Sequence, residues 1–176
     1  MHSRSASSLM AESDDRIPYV SGRASPLNDN DTEDAAISVA LTILRTRLKS
    51  RDALRSPQDV KNYLGLCSSV YGDAEVFSVI FLDTQNHVIS HDAMFFGTLT
   101  QTSVYPREVV RSALTHAAAG VILSHNHPSG HVQASRADET LTQTLKTALA
   151  LIDVKVLDHI IVAGPDSFSF AERGLL

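Results

Sequence analysis

Three features of this 176-residue sequence predict a mixed α/β fold. Stretches with helical apolar spacing alternate with short apolar strands, the order that builds a sheet flanked by helices. Two strands near residue 80 are joined by a short turn, so the sheet is not purely parallel. Hydrophobic residues make up 43% of the chain, enough for the core of one ordinary domain.

The elements follow in order. Residues 1–32 are rich in Ser, Asp and Asn and poor in large apolar side chains, and they read as a disordered leader. Residues 33–55 follow as an N-terminal helix, with Ile37, Ala40, Leu41, Leu44 and Leu48 on one stripe. Its basic end (Arg45, Arg47, Lys49, with Arg51 and Arg55 after) reads as a solvated helix terminus. In "SPQDVKNYLGL", Ser56 is the expected N-cap, Pro57 the first helical residue and Asp59 the capping-box partner.

"EVFSVIFLDTQNHVISHDAMFFGTL" reads as strand, turn, strand, and the first strand is apolar on both faces. "YPREVVRSALTHAAA" is a helix opened by Pro106, with Val109, Val110, Ala113 and Leu114 expected inward. "GVILSHNH" is a short strand ending in polar residues. "SRADETLTQTLKTALALI" is a helix capped by Ser135, with Leu141, Leu145, Ala148 and Leu149 inward. "VKVLDHIIVA" is a strand and "SFSF" a last short one.

Charge and cysteine content exclude several functions. The net charge of −5 lies mostly in residues 1–34, which hold three basic and seven acidic residues. The other 142 residues hold 12 basic and 13 acidic, a nearly neutral surface that argues against a dedicated nucleic-acid binder. The single cysteine, Cys67, excludes an internal disulfide framework and any multi-cysteine zinc site. It reads as an inert, small apolar residue. No apolar run is long enough to span a bilayer, and the N-terminus lacks the apolar centre of a secretory signal. A cytoplasmic location is the default.

The chemistry concentrates in "SHNHPSGHVQASRAD". His125 and His127 stand two apart at a strand end, so both imidazoles share one face and Asn126 points the other way. Pro128 and Gly130 turn the chain out of the sheet. Asp138 is the third residue of the helix that Ser135 caps. Taken alone it reads as a capping-box carboxylate; taken with the histidines it reads as a third metal ligand. Two imidazoles and one carboxylate suit Zn²⁺ with a fourth position left for water. One carboxylate oxygen can bind metal while the other keeps its hydrogen bond, so the two readings coexist.

These residues resemble the JAMM motif of MPN-domain metallopeptidases, in the version found in RadC-like bacterial proteins. "EVFSVIFLDTQNHVI", "GTLTQTSVYPREVVRSAL", "VLDHIIVAG" and "SFSFAERGLL" resemble the same family, from about residue 57 to the C-terminus. The resemblance makes residues 56–176 the MPN domain and implies a cytidine-deaminase-like mixed sheet, curved and flanked by helices. It implies Zn²⁺ held by His125, His127 and Asp138. It implies Glu75, ahead of the first strand, as general acid/base and Ser135 as oxyanion support. The implied activity is that of a zinc-dependent hydrolase, a metalloprotease cleaving a peptide or isopeptide bond.

Full-length RadC-like proteins often begin with a helix-hairpin-helix region, and no Gly-rich hairpin between helices is visible before residue 57. The chain therefore reads as a short form for which nucleic acid is not an expected partner. The substrate stays unassigned, and a homo-oligomer is compatible with the sequence.

The rival readings are weaker. An HNH nuclease spreads its residues over a longer motif than the adjacent letters "HNH". A zinc deaminase needs Pro-Cys-x-x-Cys, and a gluzincin needs His-Glu-x-x-His. The serious alternative is a metal-binding MPN domain that acts as a non-catalytic interaction module. Of the remaining histidines, His131 reads as an exposed loop residue. His159 reads as a buried residue supporting the site. His87, His91 and His116 read as surface.

Overall fold

A computed structural model describes residues 29–49, 56–97 and 103–176. Four helices flank five strands: α1 (Asp29–Lys49), α2 (Pro57–Val70), β1 (Val76–Leu82), β2 (Val88–Phe96), α3 (Pro106–Thr115), β3 (Gly120–Asn126), α4 (Arg136–Ala150), β4 (Lys155–Ala163) and β5 (Asp166–Ser169). The strands form one sheet in the order β2-β1-β3-β4-β5. β1 pairs antiparallel with β2 and with β3, β3 pairs parallel with β4, and β5 returns antiparallel along β4. The mixed α/β class expected from the alternating pattern is the observed one.

The β1–β2 hairpin closes through Asp83, whose Oδ1 accepts from the Gln85 and His87 amides at 2.8 and 2.9 Å. Asn86 takes positive φ there, which Asn tolerates better than most residues. The parallel β3–β4 pair cannot close through a tight turn, and α4 is the crossover it needs.

All seven residues of β1 are buried, Ser78 included, as a strand apolar on both faces predicts. Phe77, Val79 and Phe81 face the layer made by α3 and α4, where Val109, Ala113, Leu145 and Leu149 pack against Val121 and Leu123. Ile80 and Leu82 face the opposite layer, with Leu41 of α1, Val60, Tyr63, Leu64 and Cys67 of α2, and Ile160 and Val162 of β4. The sheet is thus covered on both sides. His125 continues the β3 row of Val121 and Leu123, so the strand's own alternation carries it onto the α4 side.

The capping expectations hold at both helices where they arise. Ser56 and Asp59 form a reciprocal capping box with Pro57 at the helix start, and Ser135 and Asp138 form another.

Three expectations are corrected. The first helix begins at Asp29 and extends to Lys49, whereas 33–55 was the expected span. Residues 1–28 of the expected leader and 50–55 of the expected helix lie outside the described residues, as do the side chains of Leu44 and Leu48. Leu114 is 59% exposed rather than inward: the buried stripe of α3 runs through Val109 and Ala113, and Leu114, one residue on, is turned about 100° from Ala113 around the helix.

His87, His91 and His116 are partnered rather than bare surface residues. They lie within 3.1, 2.8 and 2.8 Å of Asp83 Oδ2, Tyr63 Oη and Asp92 Oδ2. Their partners come from a turn or from elsewhere in the fold, which one-dimensional spacing does not display.

Leu145 is wholly buried between α4 and the sheet, and Leu151 is 84% exposed. Leu145→Ala is expected to lower the unfolding free energy by about 2–5 kcal/mol in urea titration. Leu151→Ala is expected to change it by less than about 0.5 kcal/mol.

Candidate metal centre

β3 ends at the edge of its hydrogen-bonded ladder, and its last residues supply the polar side chains. His125 is buried, at 3% exposure. His127 follows the strand, its amide donating to the Val162 carbonyl at 2.8 Å. The chain then turns through Pro128, Ser129 and Gly130, the glycine at φ 78°. Ser135 opens α4 and returns Asp138 to the two histidines.

The three side chains converge. One ligand atom from each of His125, His127 and Asp138 lies within 4.8 Å of the others, a group that could hold a metal ion. His125 Nε2 and His127 Nε2 are 2.9 Å apart. Asp138 Oδ1 lies 3.3 Å from His125 Nε2, and Oδ2 lies 3.9 Å from His127 Nε2. Two ligands about 2.0–2.1 Å from one ion at tetrahedral angles stand about 3.3 Å apart, so these separations fit a shared ion.

The partner of each ligand decides which atom is free for metal. His127 Nδ1 is 2.6 Å from the His131 carbonyl. A carbonyl only accepts, so Nδ1 carries the proton and Nε2 keeps its lone pair on the metal side. Asp138 Oδ2 accepts from the Ser135 amide at 2.7 Å and from the Ser135 hydroxyl at 2.6 Å. Oδ1 is thereby the oxygen that faces His125. The carboxylate serves helix and site together, as one oxygen for each use.

Electrostatics keeps Asp138 ionised. Burial raises its pKa, but the combined hydrogen bonds from His125 and Ser135 outweigh that and hold it well below the usual carboxylate range. Behind the ligands lies His159, fully buried, its Nε2 2.9 Å from His125 Nδ1. Burial first, then the nearby His125 and His127, push its pKa well below the ordinary histidine value, against an opposing pull from Asp138. Phe170 stacks on its ring at 4.8 Å, and Phe77 meets it edge-on at 5.8 Å.

Glu75 immediately precedes β1 and is half-buried. In the β1–β3 pairing Phe77 is opposite His125. Glu75 thus lies two residues before the partner of His125, at the end of the sheet where the histidines stand. Its backbone is fixed from three directions. Asn126 Nδ2 donates to the Ala74 carbonyl at 2.9 Å, and Asn126 Oδ1 accepts from the Val76 amide at 2.7 Å. The Gly97 amide donates to the Glu75 carbonyl at 2.8 Å. Asn126, expected to be a strand-end hydrogen-bonding residue, brackets Glu75 on both sides.

Ser135 is at the helix cap, exposed, with its hydroxyl both donating to Asp138 Oδ2 and receiving the Asp138 amide at 3.2 Å. His131 contributes its backbone carbonyl and not its ring. Two contributors had no clear sequence signal: that carbonyl, and Thr142, buried between Asp138 and His159. The one trace of Thr142 in the sequence is a polar residue one helical turn after Asp138, on the inward stripe.

Because Asn126 satisfies the buried Val76 amide of β1 and the Ala74 carbonyl just ahead of it, Asn126→Ala is expected to cost about 1–3 kcal/mol of stability, read by urea unfolding.

A family model described as "RadC-like JAB domain" matches residues 54–175. The chain is 57% identical over 142 residues to a UPF0758 protein of Albidiferax ferrireducens, covering 81% of this chain and 60% of that one. It is 57% identical over 144 residues to a UPF0758 protein of Variovorax paradoxus, covering 81% and 63%. A UPF0758 protein of Herminiimonas arsenicoxydans is likewise 57% identical over 143 residues, covering 81% and 63%. The matched part of the chain spans about three-fifths of the length of these curated relatives. With the five-stranded mixed sheet, the converging His-His-Asp group and a family match over most of its length, the chain belongs to the RadC-like JAB domain family.

Proposed function

We propose that the chain is a zinc-dependent hydrolase of the metallopeptidase type, cleaving a peptide or isopeptide amide. The observation that carries this reading is the convergence of His125, His127 and Asp138, two imidazoles and a carboxylate from a strand end and a helix cap. That donor set suits zinc and leaves room for a fourth ligand. Zinc bound there supplies Lewis acidity and lowers the pKa of water toward neutrality.

The chain's own residues then have defined tasks. His127 Nδ1 stays protonated on the His131 carbonyl, which orients its Nε2 inward. Asp138 holds Oδ1 toward the site while Ser135 occupies Oδ2. Glu75, just ahead of β1, accepts a proton from the attacking water and returns it to the leaving amine. In this reading the Ser135 hydroxyl turns from Asp138 toward the oxygen of the substrate carbonyl as charge develops on it. The Ser135 amide bond to Oδ2 keeps the carboxylate in place during that turn. Buried apolar walls from Phe77 and Phe170 keep bulk water from the rear of the site.

Purified protein is expected to contain about one zinc per chain, and Asp138→Ala to lose it, by elemental analysis after dialysis. Protein without a transition metal, unchanged in melting by added zinc, contradicts the reading. Glu75→Gln is expected to keep zinc but lose at least about 100-fold in amide hydrolysis, measured on a peptide library by mass spectrometry. Equal activity in that variant removes Glu75 from the mechanism. Zinc without hydrolysis in the unaltered chain leaves the alternative, a metal-binding interaction module.

A further inference from the structure

We propose that His159 and Thr142 are positioning residues that hold His125 as an Nε2 ligand and couple its ring to the backbone of Asp138. The inference rests on the zinc reading above. His125 Nε2 is the nitrogen beside His127 Nε2 and Asp138 Oδ1, so its lone pair is the one directed to the ion. The ring proton is then on Nδ1, 2.9 Å from His159 Nε2.

A donor on His125 makes His159 Nε2 the acceptor and leaves the His159 proton on Nδ1. That nitrogen is 2.6 Å from Thr142 Oγ1. The Thr142 hydroxyl in turn donates to the Asp138 carbonyl at 2.6 Å. Every donor in the series finds an acceptor: His125 to His159, His159 to Thr142, Thr142 to Asp138. Reversing the first bond would put the proton of His125 on the nitrogen that faces the ligands.

The series closes a ring through the ion, because it begins on one ligand and ends on the backbone of another. Three elements contribute, β3 with His125, β4 with His159 and α4 with Thr142 and Asp138. His159 and Thr142 are both fully buried, and His159 is clamped between Phe170 and Phe77. A polar series sealed from water cannot exchange partners cheaply, so it fixes the His125 ring orientation. Partners of this kind, behind a histidine ligand, typically raise metal affinity 10–100-fold.

The test compares the full chain with His159→Phe, His159→Gln, Thr142→Val and Thr142→Ser. Zinc affinity is read by competition with a chromogenic chelator at one pH, and the ligand field by the visible absorption of the cobalt(II)-loaded protein. Circular dichroism and thermal melting of the metal-free chains report folding separately. His159→Phe and Thr142→Val are expected to weaken zinc binding about 10–100-fold and to shift the cobalt bands. Thr142→Ser keeps the hydroxyl and is expected to retain wild-type affinity. His159→Gln, which can accept from His125 and donate to Thr142, is expected to recover part of the loss.

If His159→Phe does not fold, the near-isosteric Thr142→Val decides. Wild-type zinc affinity and an unchanged cobalt spectrum in folded Thr142→Val and His159→Phe overturn the positioning role while leaving the metal site standing. An unaltered chain that takes up no zinc overturns both.

Discussion

The parallel pairing of β3 with β4 is the constraint on which the site depends. A parallel pair needs a crossover, and α4 makes it, starting beside the end of β3 where its N-terminus meets the last residues of the strand. The helix cap and the strand end are therefore neighbours by topology. His125 and His127 come from the strand, Asp138 from the cap, and His159 from the strand alongside. Antiparallel β1, on the other flank of β3, brings Glu75 to the same end of the sheet. The polar residues gather because β1 begins, β3 ends and α4 begins there, while His159 reaches the same place from the middle of β4, opposite Leu123.

Much of this was legible in the sequence because it is written in local rules. The alternation of His125, Asn126 and His127 along a strand gives two faces. The Ser135–Asp138 spacing gives a capping box, and apolar residues on both faces of β1 give a central strand. Each of these is a short-range consequence of backbone geometry. The parts that were not legible are those set by tertiary contact. Nothing near His131 announces that its carbonyl will meet His127 Nδ1, because that depends on the path of the Pro128–Gly130 turn. Thr142 looks like an ordinary helical threonine until β4 lays His159 against it. The partners of His91 and His116 lie 28 and 24 residues away, beyond any helical or strand period. Leu114 failed as an inward residue because the buried stripe of α3 is narrow, running through Val109 and Ala113.

Polar burial around the site obeys a single accounting. Taking His159, Thr142 and Asn126 out of water is costly unless each is satisfied. Thr142 and Asn126 each make two hydrogen bonds, and His159 is engaged at both ring nitrogens. The apolar residues beside them, Phe77 and Phe170, contribute the burial that offsets the desolvation. The site is thus an extension of the core and not a patch laid on its surface.

The two bonds made by Asn126 have a consequence for how the molecule can adapt. They splice the end of β3 to the chain entering β1, so the two strand ends are held together. Domain breathing or helix sliding cannot change their spacing without breaking buried bonds. The turn from Pro128 to Ala134, between the second histidine and the helix cap, is anchored as well, by the His131 carbonyl on His127 Nδ1. If the chain acts as the proposed hydrolase, such ties keep the reorganisation energy at the reacting centre low.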